Sequence, residues 1–473
     1  MNYTFIYSLN KYINKIRLIS FITFISIIII YNYIYLSLKI KATKLNEEYS
    51  YIISELNINF TNNKINRPIR IGIYTISLSD GGLQRITAKL INYLVKFKIF
   101  KIYLFNQREK EENEYKISER IERVVIKNTD DTKFLIDKIN KKKIDVFIYQ
   151  FPIQREIKAL NNLKNTKTIF YIHSSFFYWL YSKIFKVLDI YKEYLNSKYV
   201  ISLIPLESDY LFKKWGINSI LFENFLTYDY NSTVPSDLSK KHILLIGRGR
   251  NKFKRFEIGI QAIEYIKNKI PEVKLLIVSK SIGVDNLKNY IDNLQLNYNI
   301  EFSNYSSDPS IYFKDASLNY LTSISESYSL VLSETKIHGI PSILLGLDYI
   351  AIAKNGTIII YDDRPETLAK ESIKILFHKK YKKKLSNAAR NSMKKFNNEN
   401  IYKKWKILLL SVYNNYKNYK EYFVSKVNKT KELYNILQKQ VILLNKRMPD
   451  LKNITISTME NLVNINISNY IKK

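Results

Sequence analysis

Ser325-Glu326-Ser327-Tyr328-Ser329-Leu330-Val331-Leu332-Ser333-Glu334-Thr335, running on to His338-Gly339-Ile340-Pro341, is the stretch whose reading decides the fold. The apolar run Leu318 to Leu321 before it predicts a buried strand. A helical pattern follows, stopped by Gly339 and Pro341, and Ser342 to Leu345 predicts the next strand. Glu326 then falls where a strand hands over to a helix, and Glu334 falls inside that helix. At about 100° per residue, Leu330, Val331, Ile337 and His338 share one side with Glu334. A carboxylate on an apolar face is costly without a partner. A pair of sugar hydroxyls is one such partner, as with the acidic residue that holds ribose in dinucleotide-binding folds. The helix N-terminus nearby offers free N–H groups and a positive dipole end, which suit a phosphate. Spacing alone leaves a second reading open, two glutamates on a solvated helix surface.

The run resembles the Glu–seven residues–Glu motif of retaining glycosyltransferases with the GT-B fold, family 4 above all. Members usually read Glu-Gly-Phe-x-Leu-x-x-x-Glu-Ala and then a Gly-x-Pro-Val strand. Glu326, Leu330, Glu334, Gly339 and Pro341 match, while Ser327 replaces the usual glycine and Tyr328 the usual phenylalanine. The resemblance implies that Glu326 orients the donor sugar and Glu334 holds the ribose. It also places Ser327, Tyr328, Ser329 and Leu330 against the donor.

Upstream, His242 to Ile246 predicts a strand, followed by Gly247-Arg248-Gly249-Arg250-Asn251-Lys252-Phe253-Lys254-Arg255-Phe256 and an amphipathic helix from Glu257 to Ile270. Glycines and cations between a strand and a helix suit a diphosphate. A solvated basic loop in a basic protein reads the same way. The segment resembles the family's Gly-Arg…Lys-Gly element, in which Arg248 and Lys254 would neutralise the donor diphosphate. Lys252 stands close by, and Arg255 replaces the usual glycine.

The first globular unit opens with a strand from Ile69 to Ile76, the turn Asp80-Gly81-Gly82 and a helix from Leu83 to Phe97. Glycines there let a backbone pass close to a ligand at the helix N-terminus, and they also make an ordinary tight connection. Gly81-Gly82-Leu83-Gln84-Arg85 resembles the family's Gly-Gly-x-x-Arg opening, which makes Gly81 and Gly82 candidate substrate-binding residues. Further strands at Ile102–Phe105, Val124–Ile126, Val146–Tyr149 and Thr168–Ile172 alternate with helical segments such as Asp131–Asn140 and argue for a parallel α/β sheet. The strand ending at Ile172 leads into His173, at the carboxyl end where ligands of such sheets gather. His173 is a candidate substrate contact by resemblance and a structural histidine otherwise.

The chain has 473 residues, enough for two or three domains. Its 75 Lys and Arg against 42 Asp and Glu give a formal charge of +33. The lysines are spread rather than clustered, and Ile, Asn and Tyr are also abundant. A compositional bias therefore fits better than a nucleic-acid partner. With no cysteine there is no disulfide and no thiolate metal site, and four histidines make a His-based zinc site unfavoured. Leu18 to Leu38 carries no charge and is long enough for one membrane-spanning helix, with Tyr31, Tyr33 and Tyr35 as an interfacial belt. No small-residue cleavage site follows, so an uncleaved single-pass anchor is expected, in an endomembrane of a eukaryote or the inner membrane of a bacterium.

The expected organisation is a basic segment (1–17), a transmembrane helix (18–38), a stem (39–67), an N-terminal Rossmann-like domain (68–232), a C-terminal Rossmann-like donor domain (233–400), and C-terminal helices with a tail (401–473). The resemblance implies two α/β lobes of the GT-B kind facing across a cleft. It further implies transfer of a sugar, with retention, from a nucleotide-sugar to a glycan, lipid-linked or protein acceptor, with no metal or other cofactor. A glycosyltransferase-like scaffold that binds without turnover is the alternative. Ala388 to Tyr413 resembles closing helices that cross back to the first lobe. The Asn355-Gly356 pair predicts a turn between apolar runs, and the tail past Asn414 has helical patches without recognisable chemistry.

Overall fold

Two successive runs of alternating strands and helices build two sheets, and every strand pair in both is parallel. The computed structural model describes residues 30, 33, 40–41, 43–50, 65–79, 81–126, 132–175, 177–178, 187–217, 219–247, 252–279, 285–306, 308–415 and 430–447. The expected membrane span 18–38 lies outside these apart from Ile30 and Tyr33. Among the described residues no helix is long and apolar enough to cross a membrane.

The first sheet contains β1 (Ile69–Thr75), β2 (Phe100–Asn106), β3 (Glu122–Val125), β4 (Val146–Tyr149), β5 (Lys167–Ile172), β6 (Tyr199–Ser202) and β7 (Ile220–Leu221) in the order β3-β2-β1-β4-β5-β6-β7. The second contains β8 (His242–Ile246), β9 (Lys274–Val278), β10 (Ile300–Ser303), β11 (Ala316–Leu321), β12 (Ser342–Leu345) and β13 (Thr357–Ile360) in the order β10-β9-β8-β11-β12-β13. The inner strands β4, β6, β11 and β12 are buried along their whole length and read as largely apolar runs, while the edge strands β3, β10 and β13 are partly exposed. The order reverses between β1 and β4 in one sheet and between β8 and β11 in the other. Ligands of such sheets settle at the carboxyl ends beside these reversals. The loops after β8 and β11 are the basic and acidic segments singled out from the sequence.

One apolar core runs through both lobes, joining Ile71, Phe147 and Tyr171 of the first to Tyr328, Leu332 and Tyr349 of the second. A second core lies under the outer helices of the second lobe, around Ile243, Ile263 and Ile343. The return helix Asn398–Tyr413 crosses back onto the first lobe, as the closing segments were expected to do. Its Trp405 packs against Tyr171 and Phe222, with ring centroids 5.5 and 5.1 Å apart, and its Tyr402 stacks on Tyr93 at 3.8 Å.

Two local expectations hold and one is revised. Asn355 and Gly356 do turn, both with positive φ (65° and 74°), but β12 and β13 are parallel, so the turn feeds a strand and closes no hairpin. The helix carrying Glu334 spans Leu330–Ile337 and is enclosed on nearly all sides, so it has no solvated face. Leu330, Val331 and Glu334 turn to the cleft, whereas Leu332 and Ile337 enter the shared core. The helical character expected of the tail is found: Thr430–Arg447 is a helix whose Leu443 and Leu444 are buried.

Candidate active site

A cavity of about 310 Å³ opens between the lobes, walled by Gly81, Gly82, Arg85 and His173 from the first and by Lys254, Tyr305, Glu326 to Val331 and Glu334 from the second. Ten of the eleven site residues expected from the sequence therefore meet in one place: Gly81, Gly82, His173, Lys254, Glu326, Ser327, Tyr328, Ser329, Leu330 and Glu334. The eleventh, Arg248, lies outside the described residues, next to the cavity-lining Gly247.

Each wall follows from a local backbone device. Gly81 has φ 136°, a region that favours glycine, and it starts the opening helix Gly82–Leu94 directly against the cavity. At Gly82 an added Cβ would come within 2.9 Å of Leu330 Cδ1 across the cleft, so the absence of a side chain lets the lobes touch. On the opposite wall Ser329, with φ 59°, caps the cleft helix Leu330–Ile337, and its Oγ accepts from Leu332 N at 3.4 Å. Ser327, where the resembled motif carries glycine, has no positive φ among these residues, so serine sits there without backbone strain. Arg255 does occupy the left-handed region, at φ 47°, the conformation most easily taken by the glycine it replaces. Its side chain is fixed by Nε donation to the Thr322 carbonyl at 2.8 Å and an ion pair with Asp363 at 2.6 Å.

Lys254 and Glu326 form an ion pair at 2.5 Å, and Ser323 Oγ also donates to the Glu326 carboxylate at 2.7 Å. The backbone N–H of Glu326 donates to Tyr349 Oη at 3.0 Å. Ile324 N donates to the Phe253 carbonyl at 2.7 Å and Thr322 Oγ1 to the Lys254 carbonyl at 2.6 Å, so the basic and acidic loops are stitched edge to edge.

Glu334 is 1% exposed. Burial pushes its carboxyl above the ordinary glutamate range, against the pull of Arg85 and of the Thr227 hydroxyl. Arg85 Nη2 meets its Oε1 at 2.7 Å, and Thr227 Oγ1 donates to the same oxygen at 2.6 Å. Arg85 keeps two buried donors, Nε and Nη1, without a hydrogen-bond partner. Such donors are rare, and these two belong to a side chain that lines the cavity. One turn on, Lys89 donates to the carbonyls of Leu226 and Thr227 at 2.7 and 3.1 Å, tying the opening helix to the interlobe linker. Burial and the adjacent Arg85 lower the Lys89 ammonium to about 8.

His173 follows β5 and pairs through Nε2 with Gln150 Oε1 at 3.0 Å. Burial holds its pKa down at about 3, so the imidazole is neutral near pH 7. Among the described residues, the cavity thus offers one ammonium, one guanidinium with spare donors, two carboxylates and a neutral histidine within a partly apolar box.

Sequence reasoning missed Tyr305 and Thr227 and gave Arg85 no role. Tyr305 belongs to the loop after β10, and its Oη lies 3.1 Å from Tyr115 Oη of the other lobe. No local pattern marks either tyrosine. Arg85 stands one turn into the helix that follows the glycine turn, and that position was the available signal.

Residues 231–392 match the family model described as glycosyl transferases group 1. An uncharacterised glycosyltransferase of Haemophilus influenzae is 23% identical over 259 residues, which is 53% of this chain and 71% of that one. Among solved structures, sucrose-phosphate synthase from Thermosynechococcus elongatus superposes with a TM-score of 0.62 at 15% identity, over 73% of this chain and all of that one. Anabaena HepE in complex with UDP superposes with a TM-score of 0.58 at 14% identity, over 72% of this chain and all of that one. The two Rossmann-like parallel-sheet lobes are those of the GT-B fold, and the family match supports a glycosyltransferase.

Proposed function

We propose that this chain transfers a sugar from a nucleotide-sugar donor to an acceptor hydroxyl, with retention at the anomeric carbon, in the manner of family 4. The observation that carries the reading is the cavity in which Lys254, Glu326 and Glu334 of one lobe face Gly81 and Gly82 of the other. In this reading the ribose hydroxyls bind Glu334, and the donor diphosphate lies over Lys254 with Arg248 contributing from the same loop. The positive end of the cleft helix adds to that stabilisation. Charge builds on the leaving diphosphate as the glycosidic bond breaks, and fixed cations aimed there lower the barrier. Glu326 orients the donor sugar once Lys254 exchanges its carboxylate for phosphate oxygens. Gly81 and Gly82 let the sugar and diphosphate approach the first lobe, and His173, as a neutral donor or acceptor, faces the sugar. Side-chain cations take the place of a metal ion. The apolar stretch 18–38 supports a single-pass membrane anchor, which brings a glycan or lipid-linked acceptor to the cleft.

The test is incubation with UDP-, GDP- and ADP-linked hexoses, scored for nucleotide release and for the anomeric configuration of the product. Turnover is expected with one donor, undiminished by EDTA. Glu334→Ala should reduce kcat/KM by at least a hundredfold, because the donor's ribose hydroxyls lose the carboxylate that accepts from them. Tight UDP binding with no turnover of any donor would instead make the chain a binding scaffold.

A further inference from the structure

The tail helix Thr430–Arg447 lies beyond the residues that match the family, 231–392, and takes no part in the motifs above. It nevertheless docks on the carboxyl ends of β12 and β13. Gln440 Nε2 donates to the Gly346 carbonyl at 2.5 Å and to Asp348 Oδ1 at 3.0 Å. Leu443 packs so closely on Gly346, whose φ is 66°, that an added Cβ there would collide with it. The Gln440 hydrogen bonds fix the last turns of the helix beside the loops that leave β11 and β13.

Arg447 is the residue delivered there, with its side chain 4% exposed. Its Nε and Nη2 each donate to an oxygen of Asp363 at 2.8 Å, a bidentate fork. Nη1 also donates to the Ile324 carbonyl at 3.3 Å and Nη2 to the Leu345 carbonyl at 3.2 Å. One guanidinium thus joins the loops that leave β11, β12 and β13. Asp363 is shared with Arg255, whose other hydrogen bond holds the Thr322 carbonyl. Arg255 directly follows Lys254, and Ile324 precedes Glu326 by two residues. The strained φ of Arg255 persists only if the surroundings fix it, and the shared Asp363 does so.

We propose that Arg447 is a positioning residue of the donor site, holding the Lys254 and Glu326 loops at the spacing that a donor diphosphate and sugar require. The inference deepens the reading above and rests on it for its kinetic consequence, though not for the placement of the loops. Arg447 does not line the cleft cavity and acts through Asp363, Arg255 and the Ile324 carbonyl. A tail helix that only buried Leu443 and Leu444 would stabilise the fold without setting this spacing.

The experiment compares Arg447→Met, Arg447→Lys and Leu443→Ala in the full chain, by amide hydrogen exchange and by kinetics with whichever hexose nucleotide the wild type turns over. Arg447→Met should speed exchange at least tenfold in 252–256 and 322–327. It should also raise the donor KM at least tenfold with the acceptor KM unchanged. Arg447→Lys should recover part of both, since an ammonium pairs with Asp363 but cannot span the carbonyls. Leu443→Ala should lower the unfolding midpoint and leave the donor KM alone. Wild-type exchange in both segments of Arg447→Met overturns the proposal. So do losses in Arg447→Met and Leu443→Ala that simply track lost stability. If Arg447→Met does not fold, Arg447→Lys carries the same comparison. A wild type that turns over no donor refutes the functional reading alone, and exchange still decides the positioning role.

Discussion

Arg85 and Glu334 come from different lobes and meet with both side chains almost wholly out of water. A buried pair of this kind adds little net stability, because desolvating both ions costs about as much as their attraction returns. Removing one partner is another matter, since the survivor stays buried and uncompensated. Arg85→Met should therefore lower unfolding stability by about 3 kcal/mol or more, while Arg85→Met combined with Glu334→Gln should recover much of that loss. Urea titrations of the two single variants and the double variant would measure the coupling. Glu334 was legible in the sequence because helical spacing set a carboxylate among apolar residues. Its partner was not, since no pattern in either segment tells which distant helix will face it.

Among the elements, the inner strands were the most legible, because their full burial leaves largely apolar runs with few other readings. The glycine turn was legible as a turn, but its contact with the opposite lobe was not. Gly82 sits where a methyl group would press on Leu330 at 2.9 Å, and Leu330 is held by the cleft helix. Gly82→Ala should turn the Leu330 side chain further into the cavity and raise the donor KM, and Gly82→Val should do so more strongly, as steady-state kinetics would record. The tail helix was the least legible element, since its anchoring depends on Asp363 and Gly346 in the other half of the lobe. Burial alone would raise the Asp363 carboxyl, but Arg447 and Arg255 outweigh it and hold it down at about 2. An unfolded aspartate titrates near 3.9, so the folded state favours the carboxylate. That contribution is fully present above about pH 4 and fades as pH falls toward 2. It amounts to roughly 2 kcal/mol. Wild-type stability should exceed that of Asp363→Asn by a margin that shrinks over this window, as denaturant midpoints at successive pH values would record.

On the scale of the whole molecule, the two lobes were expected to be separate Rossmann-like units, yet their apolar interiors are continuous through Tyr328, Leu332 and Tyr349. The return helix closes that shared core from the far side. Trp405 is its centre, fully buried between Tyr171 and Phe222, while Leu408 and Leu409 of the same helix pack alongside. Replacing it by alanine opens a cavity that neither sheet can collapse to fill, because β5 and the segment after β7 are fixed by their own pairings. Trp405→Ala should cost about 3–5 kcal/mol. The indole Nε1–H has no hydrogen-bond partner, so the site uses the ring for volume and contact rather than for its donor. Trp405→Phe should consequently cost much less, about 1.5 kcal/mol or under. Continuity of the core adds a sharper expectation. If the lobes share one interior, a defect at Trp405 must lower the midpoint of both, so a probe near Tyr93 and one near Tyr349, both in that interior, should report coincident transitions in the variant. Two separated transitions, with only the first lobe weakened, would mean that the return helix serves that lobe alone and that the cleft is bridged by its polar contacts without support from a common core.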